Sequence, residues 1–123
     1  MEIRFRVHCR DIQVSQDFYS RVAWLPGSSL EDHGHGVFEV AIGPAVFLKL
    51  IERPNHTIGH CSAEFNDFDV AGLHRHILET LPSHDGTADT LPPGSYCGPY
   101  DYPGGLMLSI RDPDGHLLSF AEW

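Results

Sequence analysis

The residues best suited to chemistry are three polar side chains that alternate with apolar ones near the start of the sequence. Over residues 2–9, Arg4, Arg6 and His8 fall on one face of a predicted strand, because successive side chains of a strand point to opposite faces. Arginine binds carboxylate or phosphate through paired hydrogen bonds, and histidine exchanges a proton near neutral pH. This face therefore has the residue types that bind an anionic or oxygen-rich group.

A second alternating segment offers a different chemistry. Residues 58–65 are predicted to form a strand that carries His60, Ser62 and Glu64 on one face. Histidine and glutamate are both common general acids and bases, so one interpretation is a catalytic pair at His60 and Glu64. The other interpretation is that His60 is a structural residue held by hydrogen bonds.

Two similar halves of the chain position these side chains. Each half has an alternating segment, then an aspartate (Asp11 or Asp67), an amphipathic segment and a Leu-Pro pair. In the first half, residues 15–25 are predicted to form a helix that Asp11 or Ser15 caps and that Pro26 ends, because proline cannot continue a helix. The predicted strands of this half are residues 2–9, 36–42 and 45–51.

The second half repeats the pattern and ends in a marked turn. Its helix is predicted over residues 69–81, where apolar side chains recur at helical spacing. Residues 82–105 are rich in glycine and proline and are predicted to be mostly loop, with at most one short strand. The tetrapeptide at 112–115, Asp-Pro-Asp-Gly, has the composition of a tight turn. The predicted strands of this half are residues 58–65, 106–111 and 116–122.

Composition and charge exclude several classes of partner. The 123 residues include 8 basic and 17 acidic ones, a net charge of −9, which argues against nucleic acid and anionic membranes because both are bound by lysine and arginine. The acidic balance is compatible with a cationic ligand or simply with a solvated acidic surface. No apolar run approaches the length of a membrane helix, and the first residues lack a signal-peptide stretch, so we expect a cytoplasmic protein.

The cysteines do not suggest a disulfide framework or a zinc site. There are three, Cys9, Cys61 and Cys97, and no two have the spacing of a thiolate metal site. We expect all three to be reduced thiols.

The order of elements and three sequence motifs resemble those of the vicinal oxygen chelate superfamily of glyoxalases, bleomycin resistance proteins and extradiol dioxygenases. The matching motifs are Asp11 followed by Phe18-Tyr19, Gly59-His60 ahead of Asp67, and residues 112–120, DPDGHLLSF. The resemblance covers nearly the whole chain. It implies an α+β fold of two βαβββ modules, at about residues 1–54 and 57–123, with curved mixed sheets around a cleft, and it implies a homodimer.

Metal-dependent members of that superfamily carry His, Glu or Gln at four cleft positions. The resemblance places these positions on Arg4, Lys49, His60 and Ser119. Only His60 is a usual ligand, because arginine stays protonated, lysine would have to lose a proton and a serine hydroxyl binds these ions poorly. The resemblance therefore implies a protein with no metal and no other cofactor.

The same mapping implies a cleft lined by polar groups from both modules. Its ligand-binding set would be Arg4, Arg6, His8, Lys49, His60, Ser62 and Ser119. One alternative is that salt bridges, for example of Arg4 or Arg6 with Glu64, fill the cleft without any ligand. Another is a rearranged metal site at His8, His60 and Glu64.

Three tyrosines add a further candidate site. Tyr96, Tyr100 and Tyr102 lie in the predicted loop over residues 93–105, where they would stack on a flat ligand or pack against a partner subunit.

The favoured function is that of a metal-independent small-molecule-binding protein of the bleomycin-resistance type, which sequesters an antibiotic or natural product. The alternative is an enzyme of the same fold, a lyase, isomerase or cyclase that uses His60 and Glu64. A metal-dependent glyoxalase or dioxygenase is less favoured, because three of the four ligands are missing.

Overall fold

The structure, a computed structural model, describes residues 1–22 and 30–122, apart from the side chain of Tyr102. The chain divides into two compact units, Met1–Gly59 (unit 1) and His60–Trp123 (unit 2). Each unit contains a four-stranded mixed sheet and an α-helix, so the fold is the α+β fold of two similar modules that the resemblance implied. No helix within the described ranges is long and apolar enough to cross a membrane.

Unit 1 follows the predicted order, with one strand more than the sequence pattern showed. Its sheet has the order β1-β4-β3-β2, in which β1 runs parallel to β4 and the other neighbours are antiparallel. The additional strand, β2, consists entirely of exposed residues, so it carries no apolar alternation that would predict it. The elements are β1 (Ile3–Cys9), α1 (Ile12–Val22), β2 (Leu30–Gly34), β3 (Val37–Gly43) and β4 (Val46–Glu52).

Side chains fix both the start and the buried face of α1. The Asp11 carboxylate accepts hydrogen bonds from the backbone N–H groups of Gln13 and Val14, which confirms it as the cap. Glu52, at the end of β4, accepts from the N–H of Ile12 at 2.8 Å and so joins the helix to the sheet. The predicted end of the helix at Pro26 lies outside the described residues.

The sheet of unit 1 has two chemically different faces. The face that α1 covers carries buried apolar side chains, among them Val7, Leu48, Leu50 and Val40. We call the opposite surface of each sheet its far face. In unit 1 the far face consists of Arg4, Arg6, His8, Val37, Glu39, Ala41, Phe47, Lys49 and Ile51.

Unit 2 repeats this topology, with the sheet order β5-β8-β7-β6 and β5 parallel to β8. Asp69 caps its helix by accepting from the N–H of Gly72 at 3.0 Å. A 3₁₀ turn lies at Ala88–Thr90. The elements are β5 (Ser62–Phe65), α2 (Val70–Ile77), β6 (Tyr96–Tyr102), β7 (Gly105–Arg111) and β8 (Leu117–Glu122).

Two boundaries in unit 2 differ from those predicted by more than one residue. The helix ends at Ile77 rather than at residue 81, although Leu81 is buried as its position in the apolar stripe predicted. The strand predicted over residues 58–65 begins only at Ser62. The segment over 82–105, predicted as mostly loop with one short strand, contains the seven-residue edge strand β6, which accommodates its Gly-Pro pair at an irregularity in the pairing with β7.

Candidate functional site

On the far face of unit 1, charged residues from three strands lie side by side. Arg6 of β1 is the register partner of Lys49 of β4, and Lys49 is in turn the register partner of Glu39 of β3. His8 lies on the same face, opposite Ile51. The strand register therefore places four residues on one face of this module, as the alternation predicted: Arg4, Arg6, His8 and Lys49.

Glu39 is the centre of an ionic cluster on this face. Its side chain is only 7% exposed, and its carboxylate accepts from Arg4 Nε at 2.8 Å and lies 3.2 Å from His33 Nε2. Its hydrogen bond with Arg4 is the main reason why the pKa of Glu39 lies below its usual value. Arg4 also contacts Glu2 at 3.1 Å and lies over the Phe47 ring, 4.7 Å from its centroid.

This cluster shows how Arg4 is held within its own unit. Arg4 forms salt bridges with Glu39 and Glu2. The predicted alternative of a salt bridge with Glu64, a residue of unit 2, stays a prediction. Within the described parts of the chain, Arg6 and Lys49 show neither an ion pair nor a hydrogen bond of their side chains. Arg6 and Lys49 are thus the cations of this face that are left for an anionic group.

On the far face of unit 2, all four strands contribute a polar side chain at one level. Glu64 of β5 is the register partner of Ser119 of β8, Ser119 of Ser109 of β7, and Ser109 of Cys97 of β6. Glu64 is exposed, whereas Ser119, Ser109 and Cys97 are 9%, 1% and 1% exposed. We call these four residues, together with Tyr100, the polar row.

The buried members of the polar row satisfy one another. The hydroxyl oxygens of Ser109 and Ser119 lie 2.8 Å apart, and the Tyr100 hydroxyl lies 2.9 Å from the Cys97 sulfur. Burial raises the pKa of the Tyr100 phenol, so this group is neutral over the physiological range.

Tyr96, Tyr100 and Tyr102, which were predicted to lie in a loop above a ligand, lie on strand β6. Tyr96 is 3% exposed and its ring packs against His74 of α2, which places it on the helix-covered face rather than over an open surface. Tyr100 belongs to the polar row, and the side chain of Tyr102 lies outside the description. Cys97 is buried on this strand, and all three cysteines are free thiols, as predicted.

His60 lies just before β5, beside the 112–115 turn. It is exposed, and its ring is so close to Gly115 that a Cβ there would lie 2.8 Å from His60 Nε2. Gly115 also has a positive φ of 94°, so glycine suits this turn for two reasons. Glu64 is exposed and lies within β5. The catalytic pairing of His60 with Glu64 stays a prediction.

The metal-ligand positions can be judged from the residues that occupy them. Arg4 is held in a salt bridge with Glu39, and a guanidinium group has no lone pair to donate to a metal. Ser119 bonds to Ser109, and His60 lies beside Gly115, in the turn that precedes β8. The residues at these positions do not fit a metal centre, and within the described ranges no group of three or more His, Cys, Asp or Glu residues is arranged to hold one.

A buried network around the 112–115 turn was not foreseen from the sequence. Asp112 is fully buried and accepts from the N–H groups of Asp114 and His116, both at 2.9 Å. His116, 1% exposed, accepts from the N–H of Cys61 through Nδ1 at 3.0 Å. The network ties the turn to the start of β5, so this motif is structural within unit 2. The composition of the turn predicted its shape, but nothing in it indicated the role of His116.

Comparison with known proteins identifies the fold. No family model and no curated relative matches the sequence. Among solved structures, it is similar to a bleomycin resistance determinant encoded on the transposon Tn5, with a TM-score of 0.74, 20% identity and coverage of 97% of this chain and 94% of that one.

Two other solved structures match as fully. A bleomycin-binding protein in complex with bleomycin has a TM-score of 0.71 at 20% identity, with 100% of this chain and 97% of that one covered. An oxidase, ChaP-H2, has a TM-score of 0.68 at 19% identity, with 100% and 93% covered. The chain thus has the vicinal oxygen chelate fold, in its bleomycin-resistance-like form.

Proposed function

We propose that the chain is a metal-independent small-molecule-binding protein that sequesters an antibiotic or natural product. The observation that carries this proposal is the pairing of Arg6 with Lys49 on the far face of unit 1. Like charges directly opposite each other on neighbouring strands destabilise a sheet. An anionic group bound between them relieves that repulsion.

The Arg4–Glu39 salt bridge supports this proposal by fixing the surroundings of the cationic pair. Because Glu39 is nearly buried and bonded on both oxygens, Arg4 is held against Phe47 and does not compete for the ligand's anionic group. A preformed site of this kind binds with a smaller loss of side-chain entropy. The proposed site therefore consists of Arg6 and Lys49, with Arg4 and Glu39 as positioning residues.

Metal independence belongs to the same proposal and is supported by the chemistry of the four superfamily positions. Elemental analysis of untagged protein, purified without added metal and treated with a chelator, tests it. We expect a folded protein without stoichiometric Fe, Mn, Ni or Zn. A bound, chelator-sensitive metal would contradict the proposal and return the metal-dependent enzymes to first place.

The binding function is tested by calorimetry and thermal shift with bleomycin, with aromatic natural products and with aromatic carboxylic acids. A ligand that binds only the native state raises the melting temperature in proportion to its affinity. We expect Arg6→Gln and Lys49→Met each to weaken binding of an anionic ligand by about tenfold. Arg75→Gln, an exposed charge change on α2, is the matched control. Absence of stabilisation by every compound would contradict the proposal.

The alternative is an enzyme of the same fold that uses His60 and Glu64, and the similarity to an oxidase structure supports it. Its test is turnover of any ligand that the screen identifies, with His60→Ala expected to abolish it. We also propose a cytoplasmic homodimer, which sedimentation of the purified protein and fractionation of cells would test.

A further inference from the structure

The basic residues of this acidic protein are concentrated on two neighbouring strands. The chain has only 8 basic residues against 17 acidic ones, yet most of the 8 lie on β1 and β4 or directly after them. A surface that is merely solvated needs no such concentration, whereas a site for anionic groups does. The residues are Arg4, Arg6, Arg10, Lys49 and Arg53.

The register of the two strands arranges these cations in levels. Arg6 is the register partner of Lys49, and β1 and β4 end side by side. The N–H of Arg53 donates to the carbonyl of Cys9 at 2.8 Å, so the two chains stay together for one residue more and Arg10 lies next to Arg53. Because side chains alternate along a strand, this second pair belongs to the same face as the first. The two levels are four residues apart, which corresponds to about 13 Å.

The carboxylates nearest in sequence to the second pair are used by helix α1. Asp11 accepts from N–H groups of its first turn, and Glu52 accepts from the N–H of Ile12 on the helix-covered side of the sheet. Within the described parts of the chain, the guanidinium group of Arg53 forms no ion pair, and its hydrogen bond is to the carbonyl of Glu52 at 3.2 Å. Arg53 is exposed, so its positive charge is available to an anionic group from solvent.

The level between the two cationic ones has a different composition. It consists of His8, Ile51 and Val37, which are register partners across β1, β4 and β3. Ile51 is only 6% exposed and forms the floor of this level, whereas His8 is exposed on the edge strand. Sites for small molecules combine such an apolar surface with a few polar groups at fixed positions. The middle level therefore suits the apolar part of a ligand.

We propose that the far face of unit 1 binds a dianion whose two anionic groups are joined by a flat apolar body. One group binds between Arg6 and Lys49, the other binds at Arg53 and Arg10, and the body lies over Ile51. The inference rests on the proposed binding function and names the chemical class of the ligand. A small dianion fits better than nucleic acid, because the net charge of −9 repels an extended polyanion beyond these two strands.

The test is calorimetric titration of the full-length protein with three matched probes. Stilbene-4,4′-dicarboxylate holds its two carboxylates at about the separation of the two cationic levels, biphenyl-4,4′-dicarboxylate is shorter, and stilbene-4-carboxylate has one anionic group. We expect the stilbene dicarboxylate to bind about tenfold more tightly than the monocarboxylate and about threefold more tightly than the biphenyl, because only it reaches both pairs. Equal affinities of the two stilbenes, or binding of no probe, would overturn the proposal.

Variants locate the two anionic groups. We expect Arg53→Gln to weaken binding of the stilbene dicarboxylate by about tenfold and that of the monocarboxylate by less than about twofold, whereas Arg6→Gln should weaken both by about tenfold. Arg21→Gln removes the same charge from α1 of the same unit and is the matched control. Equal effects of Arg53→Gln and Arg21→Gln would show that only net charge matters, which would contradict the second anionic subsite.

A polyanion is the competing occupant of these two strands. A single-stranded oligothymidylate is titrated at the same salt concentration as the probes, because affinities for nucleic acid depend strongly on salt. We expect it to bind more weakly than the stilbene dicarboxylate. Tighter binding of the oligonucleotide, lost in Arg53→Gln, would overturn the dianion site in favour of a nucleic-acid surface.

The results also separate this site from the proposed function. If no antibiotic or natural product binds but the stilbene dicarboxylate binds in an Arg53-dependent way, the dianion site stands and the proposed function fails. If a natural product binds tightly and Arg53→Gln leaves its affinity and that of the stilbene dicarboxylate unchanged, the proposed function stands and the dianion site fails.

Discussion

The far faces of the two sheets share a topology and differ in how they hold their polar groups. In unit 1 the central strand presents Lys49 between Arg6 and Glu39, and a salt bridge organises the surface. In unit 2 the corresponding strand presents Ser119 between Glu64 and Ser109, and hydroxyl and thiol groups bond in pairs. The fold thus sets which positions share a level of the sheet, and the side chains set whether that level is ionic or neutral.

This difference predicts that the stabilities of the two units respond differently to salt and to pH. Ion pairs near a surface weaken with added salt, whereas hydrogen bonds between neutral groups do not. Acid acts on carboxylates and alkali acts on phenols. The two units should therefore respond to opposite changes of solution conditions, and variants at named positions can break or sharpen the contrast.

The largest effect is expected at the 112–115 turn of unit 2. Asp112→Ala removes the acceptor of two backbone N–H groups in a fully buried turn. We expect a loss of about 3 kcal/mol in the free energy of unfolding, measured by urea denaturation. Asp101→Ala, an exposed change on β6, is the control and should stay within about 0.5 kcal/mol of the parent. Equal effects of the two changes would show that the turn network does not stabilise unit 2.

A pair of double-mutant cycles gives the next largest effect. Ser109→Ala and Ser119→Ala should each destabilise by about 1 kcal/mol, and the double variant by less than the sum, because the two hydroxyls bond to each other.

The cycle of Arg4→Met with Glu39→Gln should show a coupling energy that decreases between low and high salt. A salt-dependent coupling of the two serines, or a salt-independent one in unit 1, would refute the contrast.

The acid limb of the stability profile is expected to depend on unit 1. The pKa of Glu39 is lowered from 4.5 in the folded state, mainly by its hydrogen bond with Arg4. The stabilisation is therefore complete above 4.5 and is lost as the pH falls through the lower folded value. Thermal unfolding between about pH 6 and 3 should show a slope that is reduced in Glu39→Gln. An unchanged slope in that variant would contradict the role of Glu39.

The smallest effect is expected on the alkaline side, from unit 2. The pKa of Tyr100 is raised above 10.0 in the folded state, chiefly by burial. Its contribution is fully present below 10.0 and is lost as the pH rises through the raised folded value, because only the unfolded chain ionises readily. Tyr100→Phe should flatten the decline in stability above about pH 10, with no change at acid pH. A steeper alkaline decline in that variant would count against this assignment.

Most helices and strands were predictable from the sequence, because apolar side chains that recur at strand or helix spacing show which face of the element is buried. This pattern missed β2, whose residues are all exposed, and it obscured β6, whose Gly-Pro pair is typical of loops. It also extended β5 back to residue 58. A strand extends only as far as a neighbouring strand pairs with it. The neighbour of β5 is β8, which begins at Leu117, whose N–H donates to the carbonyl of Cys61. The chain before Leu117 is a turn, so His60 has no register partner.

The candidate site was predictable only in part, for similar reasons. Alternation grouped Arg4, Arg6 and His8 correctly, since one strand suffices for that inference. The partner of Arg4 was not predictable, because Glu39 comes from a strand two positions away in the sheet. The polar row depends on the register of four strands and on an irregularity between Cys97 and Tyr100, which no local pattern encodes.

The parallel pairing of the first strand with the last in each unit has a consequence for synthesis. On the ribosome, β1 cannot find its neighbour until Glu52 has emerged, but the sheet of unit 1 is then complete. The sheet of unit 2 depends in the same way on β8, which lies between β5 and β7 and follows both in the chain. Each nascent unit therefore exposes unpaired strand edges until its own last strand, β4 or β8, has emerged, and chaperones would engage the chain at these two stages.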